Sequence, residues 1–357
     1  MPNETSNEYI LLGIGNSLLD LFVYNSEEVE KLIEKYELLP KPIDKDFNKI
    51  NEFLNEVSKY PDTLKVPGGT AQNSLRGAQR LLPPNSTVII GCIGKDEFGK
   101  TLKRVLNNDG VKTEYMEVDN YPTGISSFNK LTNNKYFVRN NKGAATRYNL
   151  ENLKSPSKWK FVENAKYIYV CGFILKENFH IVKEIYKHTS ENNKVYATNL
   201  SSVKSVKKYK HRIDEISPYW DIIFGNESEA LTFAEMSNWN TTDILEVTKK
   251  LAQLPKYSNN FVRIAVITRD ARSTIYADQN GTIKEYPVIP IAENDLIDVT
   301  GAGDAFVGGF LSQFIQGKSA DECIMAGHKL SNYIIRQVGT QYDSYDSFVQ
   351  NNSVNYS

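Results

Sequence analysis

Short apolar runs alternate with stretches of helical periodicity from about Thr87 onward, the pattern of a parallel sheet with helices on its faces. The runs predict strands at Tyr9–Gly15, Thr87–Ile93, Tyr167–Gly172, Lys194–Leu200, Ile222–Gly225 and Arg263–Thr268. Helices are expected between them, at Gln72–Leu82, Gly99–Asn108, Phe179–Glu191 and Ser228–Met236, with two more closing the chain at Gly303–Gln316 and Ala320–Gln337. Two segments break the alternation. Leu21 to about Val66 reads as a short strand and two charged amphipathic helices, and Tyr115 to about Arg139 as three antiparallel strands rich in Thr, Ser, Tyr and Phe. Both return to the main sheet. The expectation is therefore one large α/β domain built from 1–20, 67–114 and 140–345, with a small lid formed by the insertions 21–66 and 115–139. Pro67-Gly68-Gly69 would join them, its glycines absorbing backbone rotation. The polar residues 346–357 are expected to form a loose tail.

Composition narrows the partners. With 357 residues, 40% of them hydrophobic, the chain can bury a large core. A formal net charge of −1 provides no field that would draw it to nucleic acid or an anionic membrane. The basic run Lys204-Ser-Val-Lys-Lys-Tyr-Lys-His-Arg212 then reads as a solvated face. Cys92, Cys171 and Cys323 are dispersed and odd in number, which argues for a reducing compartment, and the four histidines lack zinc-ligand spacing. The polar opening Met1–Glu8 has no apolar core, and no later run approaches ~20 apolar residues, so the protein is expected in the cytoplasm.

Candidate chemistry concentrates at Asp298-Val-Thr-Gly-Ala-Gly-Asp-Ala-Phe306. Gly301, Ala302 and Gly303 can bring backbone N–H groups to an anion at a helix N-terminus, where the dipole favours negative charge. If the anion is a phosphate, Asp304 beside it is placed to take a proton from an attacking hydroxyl. The plain alternative is a tight strand-to-helix turn with a first-turn acid. A second stretch, Gly94-Lys-Asp-Glu-Phe-Gly-Lys-Thr101, matches the P-loop pattern. Asp96, Glu97 and Phe98 occupy places that should wrap a polyanion, and no apolar strand ending in a second metal-binding Asp follows. The structural alternative is a loop whose Asp96 and Glu97 begin a helix.

The remaining motifs resemble, in order, those of the ribokinase-like carbohydrate kinase family, and its nucleoside kinases most closely. They are Gly13-Ile-Gly-Asn-Ser-Leu-Leu-Asp20, Pro67-Gly-Gly-Thr-Ala-Gln-Asn-Ser74, Gly91-Cys-Ile-Gly-Lys-Asp-Glu-Phe-Gly99, Thr198-Asn-Leu-Ser201, Phe224-Gly-Asn-Glu-Ser-Glu-Ala230, the 298–306 segment, Gly308-Gly-Phe-Leu-Ser-Gln313 and Ala326-Gly-His328. The third of these accounts for the P-loop match. The resemblance, over about residues 9–340, implies a three-layer α/β sandwich with a central, mostly parallel sheet and a small α/β lid. It implies a monomeric phosphotransferase that moves the γ-phosphate of ATP, with Mg²⁺, to the 5′-hydroxyl of a nucleoside, adenosine foremost. Asn16, Asp20, Gly68, Gly69, Thr70, Asn73 and Phe173 would hold the nucleoside, and Gly301–Gly303 with Asp304 would serve the transfer. Asn199, Asn226, Glu229, Thr268, Arg272, His328 and Asn332 would serve ATP, with Asn226 and Glu229 ordering the water shell of the metal. Read without the resemblance, Asp20 is equally a turn acid, Asn73 a first-turn polar residue, and Asn226 with Glu229 a helix capping box.

The departures from the family cluster at the lid. Where those enzymes carry an apolar segment against the purine, this chain reads Lys135-Tyr-Phe-Val-Arg-Asn-Asn-Lys-Gly-Ala-Ala145, and Val203 and Lys204 stand where an aromatic residue helps enclose the base. Charged side chains do not supply the stacking face a purine favours. Arg139 is expected instead to close over the β- and γ-phosphates as an electrostatic clamp. Another nucleoside, or ribose or a related sugar, is the alternative acceptor; a nucleotide-sensing or scaffolding relative without turnover is the alternative class.

Overall fold

The computed structural model describes residues 9–38, 47–133, 135–343 and 345–346. The polar opening 1–8 and the tail from 347 onward lie outside the described residues. In chain order the elements are β1 (Leu11–Ile14), β2 (Leu18–Val23), α1 (Ser26–Lys35), α2 (Phe47–Val57), β3 (Leu64–Gly68), α3 (Thr70–Leu81), β4 (Thr87–Gly94), α4 (Glu97–Asn108), β5 (Lys112–Val118), β6 (Gly124–Lys130) and β7 (Tyr136–Asn141). They continue with α5 (Leu150–Lys154), α6 (Pro156–Asn164), β8 (Tyr167–Val170), α7 (Phe179–Glu191), β9 (Val195–Asn199), α8 (Val203–Ile216), β10 (Ile222–Asn226), α9 (Glu227–Met236) and α10 (Ile244–Ala252). The last are β11 (Ile264–Arg269), β12 (Arg272–Asp278), β13 (Ile283–Tyr286), α11 (Ala302–Ile315) and α12 (Ala320–Ile334).

A nine-stranded sheet runs in the order β13-β12-β11-β10-β9-β8-β1-β4-β5. The strands from β11 to β5 pair in parallel, and β12 and β13 add an antiparallel edge. The predicted strands read as unbroken apolar runs because both sheet faces are covered. Leu11, Ile89, Tyr169 and Phe224 face one core with α3, α11 and α12, while Leu12, Val88, Ile168 and Ile223 face the other with α6, α7 and α10. Fully burying a side chain such as Phe310 or Ile185 contributes about 1.5–3 kcal/mol. This is the expected three-layer α/β sandwich.

A second, four-stranded sheet has the order β3-β2-β6-β7 and carries α1 and α2 on one face. Here the expectation of three antiparallel strands over 115–139 is corrected. The first of them, β5, pairs in parallel with β4 from Val88↔Lys112 to Gly94↔Val118 and belongs to the large sheet. The α4 crossover returns the chain beside β4, and β5 looks like a lid strand because, at the sheet edge, it mixes polar and apolar residues with only Tyr115 buried. The small sheet is completed by β3 and by β2, which begins at Leu18.

The P-loop match folds as a helix start. Asp96 caps α4 by accepting from Gly99 N at 2.8 Å, and also accepts from Thr123 N at 2.7 Å and Thr123 Oγ1 at 2.6 Å, tying α4 to the start of β6. Lys100 pairs with Glu97 one turn back, in solvent. The helix N-terminus is thus already satisfied by a carboxylate and offers nothing to a polyphosphate. We expect Lys100→Ala to shift stability by no more than ~0.5 kcal/mol and leave nucleotide affinity intact, whereas Asp96→Ala costs about 1–2 kcal/mol; denaturant unfolding and nucleotide titration of both variants check this.

Candidate active site

The site forms where two helices begin. After β1 the chain passes Asn16 into β2, whose Asp20 is buried beneath the joint between β3 and α3. Gly68 and Gly69 are required there. A Cβ on Gly68 would collide with the Asp20 carboxylate, and one on Gly69, which has φ +81°, would collide with Asn16 O. Gln72 locks the joint by donating to Leu18 O at 3.1 Å and to Gly68 O, and it receives the Tyr115 hydroxyl. Asn73, buried in the first turn of α3, donates from Nδ2 to Asp304 Oδ2 at 3.0 Å. The Oδ1 atoms of Asn16 and Asn73 have no protein partner. Buried acceptors of this kind are normally satisfied, and here a polyhydroxylated ligand would do so.

The second helix, α11, starts on Gly301 in the left-handed region, φ +80°. Thr340 fills the space where a Gly301 side chain would be, while nothing lies within 4 Å of a Cβ placed on Gly303. The turn is therefore braced behind and open in front. Ala302 N already donates to Val299 O at 3.2 Å, so the dipole of α11 and the N–H groups beside it favour an anion in that opening. Asp304 stands at its edge.

Both acids titrate high. Burial, chiefly, raises Asp304 to about 6, with hydrogen bonds from Asn73 and Thr70 working against the rise. Asp20 is pushed to about 8 by burial and then by the neighbouring Asp304, against a smaller opposing effect of Arg76. A base near 6 is ionised at neutral pH yet still able to hold a proton.

The residues expected to serve ATP follow the carboxyl ends of adjacent parallel strands, the usual place for a ligand crevice in such sheets. Asn199 ends β9, Asn226 ends β10 and Thr268 lies opposite Asn226 on β11, while Phe173, expected to hold the nucleoside, follows β8 beside them. Asn199 Oδ1 accepts from Gly172 N and Ser201 Oγ, fixing the turn that carries Phe173. Asn226 and Glu229 form a capping box with one another, and burial raises Glu229 to about 7. Arg272 is engaged by Glu227. His328 is buried, held neutral with its pKa lowered to about 4, and bonded through Nε2 to Thr274 Oγ1 at 2.9 Å. Asn332 bonds Ile289 O and Arg336 Nε. These last two side chains brace the wall of the crevice from within.

Arg139 is not brought to the site. In paired strands, residues opposite each other share a face. Asp20 lies opposite Ser126, Ser126 opposite Asn140, Phe128 opposite Val138 and Lys130 opposite Tyr136. Arg139 lies opposite Ser127 on the other face, donating to Leu38 O at 2.7 Å and stacking on Phe137, which itself packs on Phe53 of α2. The expected phosphate clamp is corrected accordingly, since strand parity turns the guanidinium toward the lid helices. Lys142 pairs with Glu177 at 3.5 Å. The cleft face instead presents Ser126, Asn140, Val138, Tyr136 and a stacked Phe22–Phe128 pair, rings 4.8 Å apart. Their alternation along β7 was the available signal, usable only once the partner strand is known.

The pfkB family carbohydrate kinase model matches residues 43–347. The chain belongs to that family. It is 37% identical to adenosine kinase 1 of Arabidopsis thaliana over 95% of this chain and 97% of that one. Among solved structures it is similar to Anopheles gambiae adenosine kinase in complex with P1,P4-di(adenosine-5) tetraphosphate, at TM-score 0.82 and 31% identity, covering 93% of this chain and 97% of that chain. It is equally similar in fold to Schistosoma mansoni adenosine kinase in complex with 2-fluoroadenosine, at TM-score 0.83 and 28% identity, covering 95% and 99%. The ribokinase-like fold inferred from the motifs is thereby established.

Two outcomes follow from this geometry. A carboxyl that titrates near 8 when folded, against 3.8 when unfolded, makes the fold progressively less stable as pH rises from about 4 to 8. Asp20→Asn should therefore raise Tm by several degrees at pH 8, roughly 3–6 °C, with the gain vanishing near pH 4; thermal unfolding at both pH values tests this, and no gain at pH 8 would mean that the carboxyl is well solvated. Arg139→Ala should cost about 1 kcal/mol through the lid, yet leave kcat within about threefold. A tenfold loss of kcat in steady-state assays would restore the clamp.

Proposed function

We propose that the protein transfers the γ-phosphate of ATP to the 5′-hydroxyl of adenosine, forming AMP and ADP. The observation that carries this reading is the Asn73–Asp304 hydrogen bond, which joins the buried polar groups of Asp20, Asn16 and Asn73 to the turn that opens α11. The similarity to adenosine kinases over nearly the whole chain supports the choice of nucleoside. Asp20, Asn16 and Asn73 hold the ribose hydroxyls, with Gly68, Gly69 and Thr70 shaping that pocket. Phe173 and the apolar part of the lid face enclose the base. As the 5′-oxygen attacks the γ-phosphorus, Asp304 accepts its proton, the bond to the bridging oxygen of ADP breaks, and the amides of Gly301 and Gly303 face the charge on the transferring group, while Ala302 N holds Val299 O and shapes the turn.

Among the described residues no group of three or more His, Cys, Asp and Glu side chains is placed to hold a metal directly, which fits an Mg²⁺ ion carried by the triphosphate and met through water by Asn226 and Glu229. The ion would neutralise charge between the β- and γ-phosphates. Asn199, Thr268 and Arg272 border the nucleotide, and His328 and Asn332 support that wall. The reaction would belong to purine salvage in the cytoplasm, in keeping with three buried, unpaired cysteines, and be performed by a monomer with small-molecule partners only. No helix among the described residues is long and apolar enough to cross a membrane.

A coupled assay with ATP and a panel of adenosine, inosine, guanosine and ribose tests the reading; adenosine failing to be the best acceptor would overturn it. Asp304→Asn should lower kcat by roughly 10²–10⁴ with little change in nucleoside affinity. For the wild type, with Asp304 near 6, kcat/KM should fall about tenfold per pH unit below that value as the base becomes protonated.

A further inference from the structure

Residues 339–342 cross behind the site as a strap. Gly339 N donates to Asp298 Oδ2 at 3.0 Å, and a Cβ on Gly339 would collide with Phe22 and crowd Val66 of the small sheet. Thr340, buried, lays its side chain on Gly301. Tyr342, fully buried, donates from Oη to the backbone carbonyl of Asn73 at 3.1 Å. A side chain of α3 adds a second fastening. Arg76, three residues beyond Asn73, donates from Nη1 to Thr340 O at 2.7 Å and from Nε to Asp109 Oδ2, with its guanidinium 5.2 Å from the Tyr342 ring centre. The side chains of Arg76 and Asp109 are each only 2% exposed.

Asp109, which also takes Arg80 Nη2 at 3.4 Å, supplies the opposite charge for the buried guanidinium. The additional bond to Thr340 O does something else: it sets how closely the strap presses on the Gly301 turn, while Tyr342 sets the carbonyl side of Asn73. The planar fork of arginine can hold Asp109 and Thr340 at once, which a lysine ammonium reaching from the same helix position would not reproduce. We propose that Arg76 is a positioning residue for phosphoryl transfer, acting through Thr340 and Tyr342 to keep the Gly301 turn and Asn73 aligned on Asp304. The buried cation also opposes the upward push on Asp20. The inference rests on the adenosine kinase activity proposed above, but wild-type turnover tests that activity by itself, so every outcome here is read as a variant-to-wild-type ratio on the best acceptor.

Arg76→Lys should lower kcat by about tenfold or more with both KM values within about threefold, because alignment in the transition state is lost before ground-state binding. Asp109→Asn serves as the control for stability, since it weakens the ion pair and leaves the Thr340 bond in place; its Tm should fall with kcat held within about threefold. Tyr342→Phe removes a single hydroxyl, keeps the ring, and should lower kcat about three- to tenfold at nearly unchanged Tm. The proposal is overturned if Arg76→Lys retains kcat within threefold, or if Arg76→Lys and Asp109→Asn lose kcat in the same proportion to their loss of Tm. Should either charged-residue variant fail to fold, Tyr342→Phe decides, and wild-type kcat in that variant overturns the inference.

Discussion

The site depends on how closely α3 and α11 approach. A Cβ on Gly308 would collide with Ser74 O and lie 3.0 Å from Ala78 N, so the two helices meet backbone to backbone one turn below their N-termini. Only at that separation does Asn73 on one helix reach Asp304 on the other. Gly309 repeats the arrangement on the opposite side of α11, where a side chain would press into Ala326 and Gly327 of α12. The glycines of Gly308-Gly-Phe-Leu-Ser-Gln313 thus act at a distance from the chemistry. They convert helix packing, an ordinary source of stability, into a fixed spacing between the N-termini of α3 and α11.

That spacing has an electrostatic consequence. Two carboxyls, Asp20 and Asp304, are brought into one poorly hydrated pocket, where burial raises both and Asp304 adds to the cost of ionising Asp20. The protein tolerates this in place of neutralising the pocket with a direct ion pair. Arg76, the nearest buried cation, is committed to Asp109 and Thr340 and influences Asp20 only through space. A direct partner would hold the base in a salt bridge and depress its pKa, leaving it less able to take a proton. Stability is surrendered at the site and recovered in the two cores that flank the sheet.

The central strands were legible because a strand buried on both faces leaves a continuous apolar run, as in Thr87–Ile93, and the turn into α11 because Gly301, at φ +80° and against Thr340, has no room for a side chain. β5 was misassigned for the complementary reason: an edge strand with only Tyr115 buried leaves no continuous apolar run. The box between Asn226 and Glu229 was readable as a cap, and the structure shows that cap. Arg76 carried no local signal at all. A buried arginine on a helix looks like a solvated one until the contact 264 residues away, with Thr340, is known.

The lid resolves an apparent conflict between its charge and a purine substrate. A helix carrying Arg139 and Lys142 three residues apart would present both on one side. A strand separates its residues onto two faces, and the register with β6 decides which face receives the charge. In Tyr136–Asn141 the odd positions Phe137, Arg139 and Asn141 go to α1 and α2, where Arg139 holds Leu38 O and Asn141 bonds Asn51. The even positions Tyr136, Val138 and Asn140 go to the cleft. A one-residue slip would exchange the sets, placing a guanidinium over the ligand and exposing Phe137. Ser127 and Asn129, which hydrogen-bond each other behind the sheet while Asn129 Nδ2 also holds Phe137 O at 2.8 Å, guard against that slip. Buried polar pairing therefore fixes the register, and the register fixes which chemistry faces the substrate.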